Sequence, residues 1–153
     1  MLRRTLRSVK FLRSYEAANI QAWFRRWPGA GVAIVCGSIS GIVVLDVEHE
    51  ALWALDVYHV PFVPTVRTQR GGLHFYFCYE PGIRSTTFTD QGLHLGEIRA
   101  NGNIVVAPPS QGLHGRYEWI VSPEHRPLVE PPLWLVELSR APAQPEPEHP
   151  ERG

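Results

Sequence analysis

The sequence predicts an α+β domain in which mixed or antiparallel sheets carry few flanking helices. Three observations lead there. Short apolar runs bounded by Gly, Pro and Asn-Gly turn signals recur from Gly31 to Val121, a single stretch near the start shows a clear helical stripe, and strands and helices come in mixed order. With 153 residues and 44% apolar content, the chain suits one domain with a core of its own.

Ile20, Trp23, Phe24 and Trp27 recur at helical spacing, and Pro28-Gly29 stops the pattern, so a helix of about three turns ends at Trp27. Gly31–Cys36 (GVAIVC) and Ile42–Glu48 then read as two buried strands joined by the Gly-flanked turn Gly37-Ser38-Ile39-Ser40-Gly41. A short helix fits around Ala51–Asp56. Pro61 and Pro64 bracket an extended piece that runs into Thr65–Thr68, and Gly71-Gly72 breaks the chain before the aromatic strand Leu73–Tyr79. Leu93–Arg99 alternates, Asn101-Gly102 is a strong hairpin signal, and Ile104–Ala107 is the expected partner strand, ended by Pro108-Pro109. Tyr117–Val121 adds a last strand and Pro131–Ser139 a last helix. The domain therefore spans residues 14–140, between a basic arm at 1–13 and a Pro/Glu-rich tail at 141–153.

Lys+Arg and Asp+Glu balance at 15 each, so bulk charge announces no nucleic-acid partner. The distribution is less even. Arg3, Arg4, Arg7, Lys10 and Arg13 crowd an acid-free start, which serves either as a solvated arm or as a contact for phosphates. That start lacks the apolar core and cleavage pattern of a secretory signal. Cys36 and Cys78 sit apart in apolar runs, which fits reduced thiols in the cytoplasm and neither a CxxC pair nor a zinc site. No run is long enough to cross a bilayer, so no membrane partner is expected.

The most hydrophobic run ends in acids: Val43-Val44-Leu45-Asp46-Val47-Glu48. Strand alternation sends Asp46 and Glu48 to one face and Leu45 and Val47 to the other. Like charges so placed repel unless a cation lies between them, and hard oxygen ligands suit Mg²⁺ or Mn²⁺. Two solvated acids at a strand end would look the same. Glu97 supplies a third carboxylate on an alternating strand, with Arg99 on its face, although a plain surface pair fits these two as well. His74 follows the double glycine, where nothing bulky crowds an approaching phosphate, or else serves as a packing residue. Arg67 and Arg70 offer guanidinium groups to phosphate oxygens, or only surface charge.

The segments GVAIVCGSISGIVVLDVEHE, PTVRTQRGGLHFYF and GEIRANGNIVVAPPSQGLHGRYEW, in this order, resemble the N-terminal domain of the bifunctional DNA primase/polymerase family, within the archaeo-eukaryotic primase superfamily. The resemblance runs from about Gln21 to Trp119. It implies an archaeo-eukaryotic primase-like core, shortened at its N-terminal edge, where the family's early strand and lysine-bearing segment are replaced by MLRRTLRSVKFLRS. It implies that Asp46, Glu48 and Glu97 hold catalytic Mg²⁺ or Mn²⁺ and that His74 meets the incoming NTP or dNTP, with Arg67, Arg70, Arg99 and Ser110 of the VVAPPS segment near the phosphates. The activity implied is template-dependent nucleotide joining on DNA, in replication of a phage, plasmid or mobile element. No Gly-rich phosphate loop of a motor is present, so a separate helicase is the expected partner where unwinding is needed.

The family's third acid is usually aspartate, and Glu97 is one methylene longer. With the shortened start, this favours an alternative: a catalytically impaired nucleic-acid-binding module of the same fold. A metal-dependent nuclease fits less well, because acid-acid-lysine sites need a lysine on the strand and the sole lysine is Lys10.

Overall fold

The computed structural model describes residues 16–60 and 62–140. The basic arm expected at 1–13, the tail expected at 141–153, and Pro61 lie outside the described residues.

The first helix, α1, spans Ala17–Arg26 and closes as expected at Trp27, whose N–H donates to the Trp23 carbonyl at 2.7 Å. Arg25 and Arg26 fill its last turn, where cations complement the helix dipole. No residue of α1 is buried, so its apolar stripe is not part of the core among the described residues.

Strands β1 (Val32–Val35) and β2 (Ile42–Val47) form where the apolar runs place them, with Gly37 and Gly41 at positive φ in the turn between. They join different sheets. β2 lies inside a six-stranded sheet, while β1 belongs to a two-stranded ribbon and is only half-buried, against the expectation of a second buried strand. After β2 come a single 3-10 turn at His49–Ala51 and the short helix α2, Trp53–Val57. Then follow β3 (Val66–Arg67), β4 (Leu73–Cys78), β5 (Thr86–Asp90), β6 (Leu93–Arg99), β7 (Ile104–Ala107), β8 (Glu118–Trp119) and helix α3, Leu133–Arg140.

The large sheet runs β5-β6-β2-β4-β3-β8, and each of its strand pairs is antiparallel. The α+β class with antiparallel sheets and few helices is therefore what forms. The expected β6–β7 hairpin does not. Asn101-Gly102 does turn, with Gly102 at φ +85° and the Asn103 N–H donating to the Ala100 carbonyl. Yet β6 pairs with β2 and β5, while β7 pairs with β1. The turn here carries the chain from one layer to the next, since Asn-Gly dictates a local reversal and not which strand lies alongside. The true neighbour, β5, was hidden in TTFTD, whose only apolar residue is the buried Phe88; Gln91 and Gly92, both at positive φ, make its two-residue hairpin with β6.

One face of the large sheet builds the main core. Val43, Leu45, Val47, Phe75, Phe77 and Ile98 are buried there with Ala54 of α2 and Leu135 and Val136 of α3. The opposite face is different in kind. Val44, Val66 and Tyr76 pack there with Cys36, just past β1, and Val105 of β7, and Asp46, His74 and Glu97 share that face.

Candidate active site

Asp46 is the last polar position of the central strand, and its register defines the site. It stands directly opposite His74 on β4 and directly opposite Glu97 on β6. Directly paired residues share a sheet face, so one row crosses the sheet: Val66, His74, Asp46, Glu97 and Thr87. Arg99 and Tyr76 flank the row one step along, each opposite Val44. Alternation within β2 follows directly: Val43, Leu45 and Val47 enter the core while Asp46 takes the polar face.

Two glycines allow the strands to close on Asp46. A Cβ on Gly96 would lie 2.0 Å from the Asp46 carbonyl oxygen, and one on Gly72 would lie 2.6 Å from the Val47 carbonyl oxygen. Gly72, the second of the double glycine before His74, thus serves backbone approach to β2, while Gly71 lies beside the His49 ring.

The side chains meet as charges. His74 Nε2 lies 3.3 Å from Asp46 Oδ1, Arg99 Nη2 lies 3.7 Å from Asp46 Oδ2, and Arg99 Nη2 also contacts Glu97 Oε2. His74 is nearly closed off at 4% side-chain exposure, whereas Asp46, Glu97 and Arg99 stay between 22% and 34% exposed. The imidazole is thus held by the protein, with one edge toward the acid. Among the described residues, the buried side-chain polar atoms without a hydrogen-bond partner are His74 Nδ1, Tyr76 OH, Glu97 Oε2 and Arg99 Nε. All four belong to this face. Glu97 Oε2 has the Arg99 Nη2 ion pair for company, which leaves His74 Nδ1, Tyr76 OH and Arg99 Nε as the unpaired polar atoms of a face where buried polar atoms are ordinarily paired.

Electrostatics agree. Burial pushes the Tyr76 phenol well above its ordinary range, with Cys36 and Asp46 adding to it. Burial likewise pushes the Cys36 thiol up to about 11, Arg99 lowering it and Asp46 raising it. Both cysteines are free, as expected.

The other residues singled out in the sequence fall elsewhere. Glu48 is exposed beyond the end of β2 and enters no ion pair among the described residues. No three His, Cys, Asp or Glu side chains gather as a metal-holding group among the described residues. Arg67 lies opposite Leu73, one residue from the row, so strand parity sends it to the other face from His74. Arg70 sits on an exposed turn with its Nη2 2.9 Å from His114 Nε2. The Ser110 hydroxyl accepts from the Val32 N–H at 2.7 Å and donates to the Val32 carbonyl at 3.1 Å, so it straps the end of β7 to β1.

Sequence reasoning missed Ser85 and Asn103. Asn103 Nδ2 donates to Ser85 Oγ at 2.5 Å, and Asn103 Oδ1 lies 3.5 Å from Arg99 Nη1. Nothing in an Asn-Gly-Asn turn signals that its second Asn steadies an arginine.

The family model for the N-terminal domain of bifunctional DNA primase/polymerase matches residues 11–134, taking in the whole of the large sheet and the row at Asp46. The chain belongs to this primase/polymerase family. Comparison with curated proteins and with solved structures gave no match. Family membership points to a nucleotidyltransferase-type enzyme of the DNA primase/polymerase class, and thereby to a DNA template and nucleotide substrates. No helix among the described residues is long and apolar enough to cross a membrane.

The donor chemistry of the row suits the divalent ion that such chemistry uses. Asp46 and Glu97 are hard oxygen donors directly across from each other, and the Arg99 guanidinium beside both shows that a cation suits the place.

Proposed function

We propose that this primase/polymerase domain is a template-dependent nucleotidyltransferase that joins NTPs or dNTPs on DNA, with Asp46 and Glu97, joined by Glu48, holding Mg²⁺ or Mn²⁺. The observation that carries the reading is the His74–Asp46–Glu97 row on one face, with His74 Nδ1, Tyr76 OH and Arg99 Nε buried and unpaired in and beside it. When bound, the divalent ions supply activation of the attacking hydroxyl and charge neutralisation at the leaving pyrophosphate.

The chain's own residues do the rest. Asp46 orients His74 through the Nε2 contact, so the imidazole is fixed before substrate arrives. His74 Nδ1, buried and unpaired, is the group offered to a phosphate oxygen. Arg99 adds a guanidinium at the same face, and Arg70, whose Nη2 lies 2.9 Å from His114 Nε2, adds another at the exposed turn before β4. Because these groups are positioned ahead of binding, they stabilise developing charge with little reorganisation. In this reading Glu48, next to the sheet end, turns toward the ions from its exposed position. The domain would act in replication of a phage, plasmid or mobile element, in the cytoplasm, with unwinding supplied by a separate helicase.

The test is incorporation of labelled nucleotide by the purified chain on a DNA template with Mg²⁺ or Mn²⁺. A second reading, a nucleic-acid-binding module that does not catalyse, is favoured by Arg99 lying against both carboxylates and by the exposed Glu48. Template binding with no incorporation under either ion would select it.

A further inference from the structure

The place between Asp46 and Glu97 is already taken by a cation. Arg99 Nη2 reaches both carboxylates, in a register that sets the two acids face to face. Beside the guanidinium lies a hollow of about 170 Å³ lined by Ser85, Thr86, Thr87, Glu97, Arg99 and Asn103. Its walls carry the hydroxyl oxygens of Ser85, Thr86 and Thr87 and the amide oxygen of Asn103, all able to accept from a guanidinium. Asn103 Oδ1, 3.5 Å from Nη1, already stands at its entrance, and Ser85 Oγ holds Asn103 in place. Arg99 Nε is buried with no hydrogen bond, so the present position leaves that donor unmet.

We infer that Arg99 is the resident counter-cation of the Asp46–Glu97 pair, and that a divalent ion binds by displacing its guanidinium into the Ser85–Thr87–Asn103 hollow. The inference rests on the reading that Asp46 and Glu97 hold such an ion. Two cations cannot share so small a space between two acids, so ion binding and the closed Arg99 position exclude each other. Arg99 keeps the like charges from repelling when no ion is present and weakens the ion's apparent affinity by the same coupling. It is a positioning residue, and it acts before any nucleotide enters.

The test measures Mn²⁺ binding to the full chain, without nucleotide or DNA, from the electron paramagnetic resonance of free Mn²⁺. Arg99→Gln should bind Mn²⁺ about tenfold more tightly than wild type, equivalent to about 1.4 kcal/mol. Arg99→Lys keeps the charge and should stay close to wild type. Asn103→Leu, which fills the hollow from a half-buried turn position, should bind Mn²⁺ more weakly and gives the answer even where the Arg99 variant fails to fold. Asp46→Asn should lose the binding. Unchanged or weaker affinity in Arg99→Gln, equal effects of Gln and Lys, or unchanged or tighter affinity in Asn103→Leu would each overturn the inference while leaving the functional reading intact. Wild-type binding retained in Asp46→Asn would instead remove the ion-holding role of the row, and the inference with it.

Discussion

Asp46 and Glu97 stand directly across from each other on neighbouring antiparallel strands, with the Arg99 guanidinium touching both. This pairing depends on backbone proximity as much as on charge.

Gly96 precedes Glu97 and leaves no room for a side chain, since a Cβ would fall 2.0 Å from the Asp46 carbonyl oxygen. Gly96→Ala must push β6 away from β2. The substitution should cost about 2–4 kcal/mol in a urea melt, at the severe end for one side chain. Activity in the folded fraction should fall by about 10²-fold, the scale expected of a displacement of about 1 Å at a catalytic group. A variant as stable and as active as wild type would mean that the close approach does not matter.

Ser110 straps the ribbon through both polar groups of Val32. Removing the hydroxyl takes the side-chain partner from a part-buried N–H and C=O. Ser110→Ala should therefore lose about 1–3 kcal/mol of stability, the net contribution of two hydrogen bonds. The KM for nucleotide should not move. A raised KM with unchanged stability would return Ser110 to the phosphate site that the sequence suggests.

Much of this site was legible in the sequence, and the gaps have physical causes. Asp46 was readable because a strand that buries Val43, Leu45 and Val47 must turn its alternate residues the other way. His74 was singled out by the double glycine before it. The meeting of Glu97 with Asp46 was expected from the family resemblance and not from the strand pattern, because partner choice between strands is a long-range matter, and the Asn101-Gly102 signal pointed β6 toward β7. β5 was invisible because an edge strand of Thr, Phe and Asp carries little apolar signal. The role of Arg99 between two acids could be seen only once their register was known.

The Cys36 thiol lies at 1% exposure beneath the same face, and burial raises its pKa from 9.0 to about 11. In the unfolded chain it ionises earlier, so between about pH 9 and pH 11 the unfolded state loses a proton that the folded state keeps. The stabilisation from this thiol is whole below that window and is lost as pH rises through it, by about 1.4 kcal/mol for each pH unit. Cys36→Ala should flatten the alkaline fall in Tm relative to wild type. Parallel curves for the two proteins from neutral pH upward would show that Cys36 titrates normally in the fold.

Leu45, fully buried between Phe75 and Ile98, tests whether fold and site separate cleanly. Leu45→Ala should cost about 2–5 kcal/mol by chemical melt. At a temperature where the variant remains folded, its incorporation rate should stay near that of wild type, since Leu45 points away from the Asp46 face. A loss of rate much larger than the loss of folded protein would show that the core positions the acids directly.

Asp46 is the central residue of the row, facing His74 on one side and Glu97 on the other. The decisive measurement is labelled-nucleotide incorporation on a primed and an unprimed DNA template with Mg²⁺ or Mn²⁺, comparing wild type with Asp46→Ala at equal folded concentration. Wild type should extend or start a strand, and Asp46→Ala should fall by about 10²–10³-fold or more, the loss typical when a preorganised charge is removed from a transition state. Equal incorporation by the two proteins, or none by wild type while template is still bound, would contradict the catalytic assignment of the row.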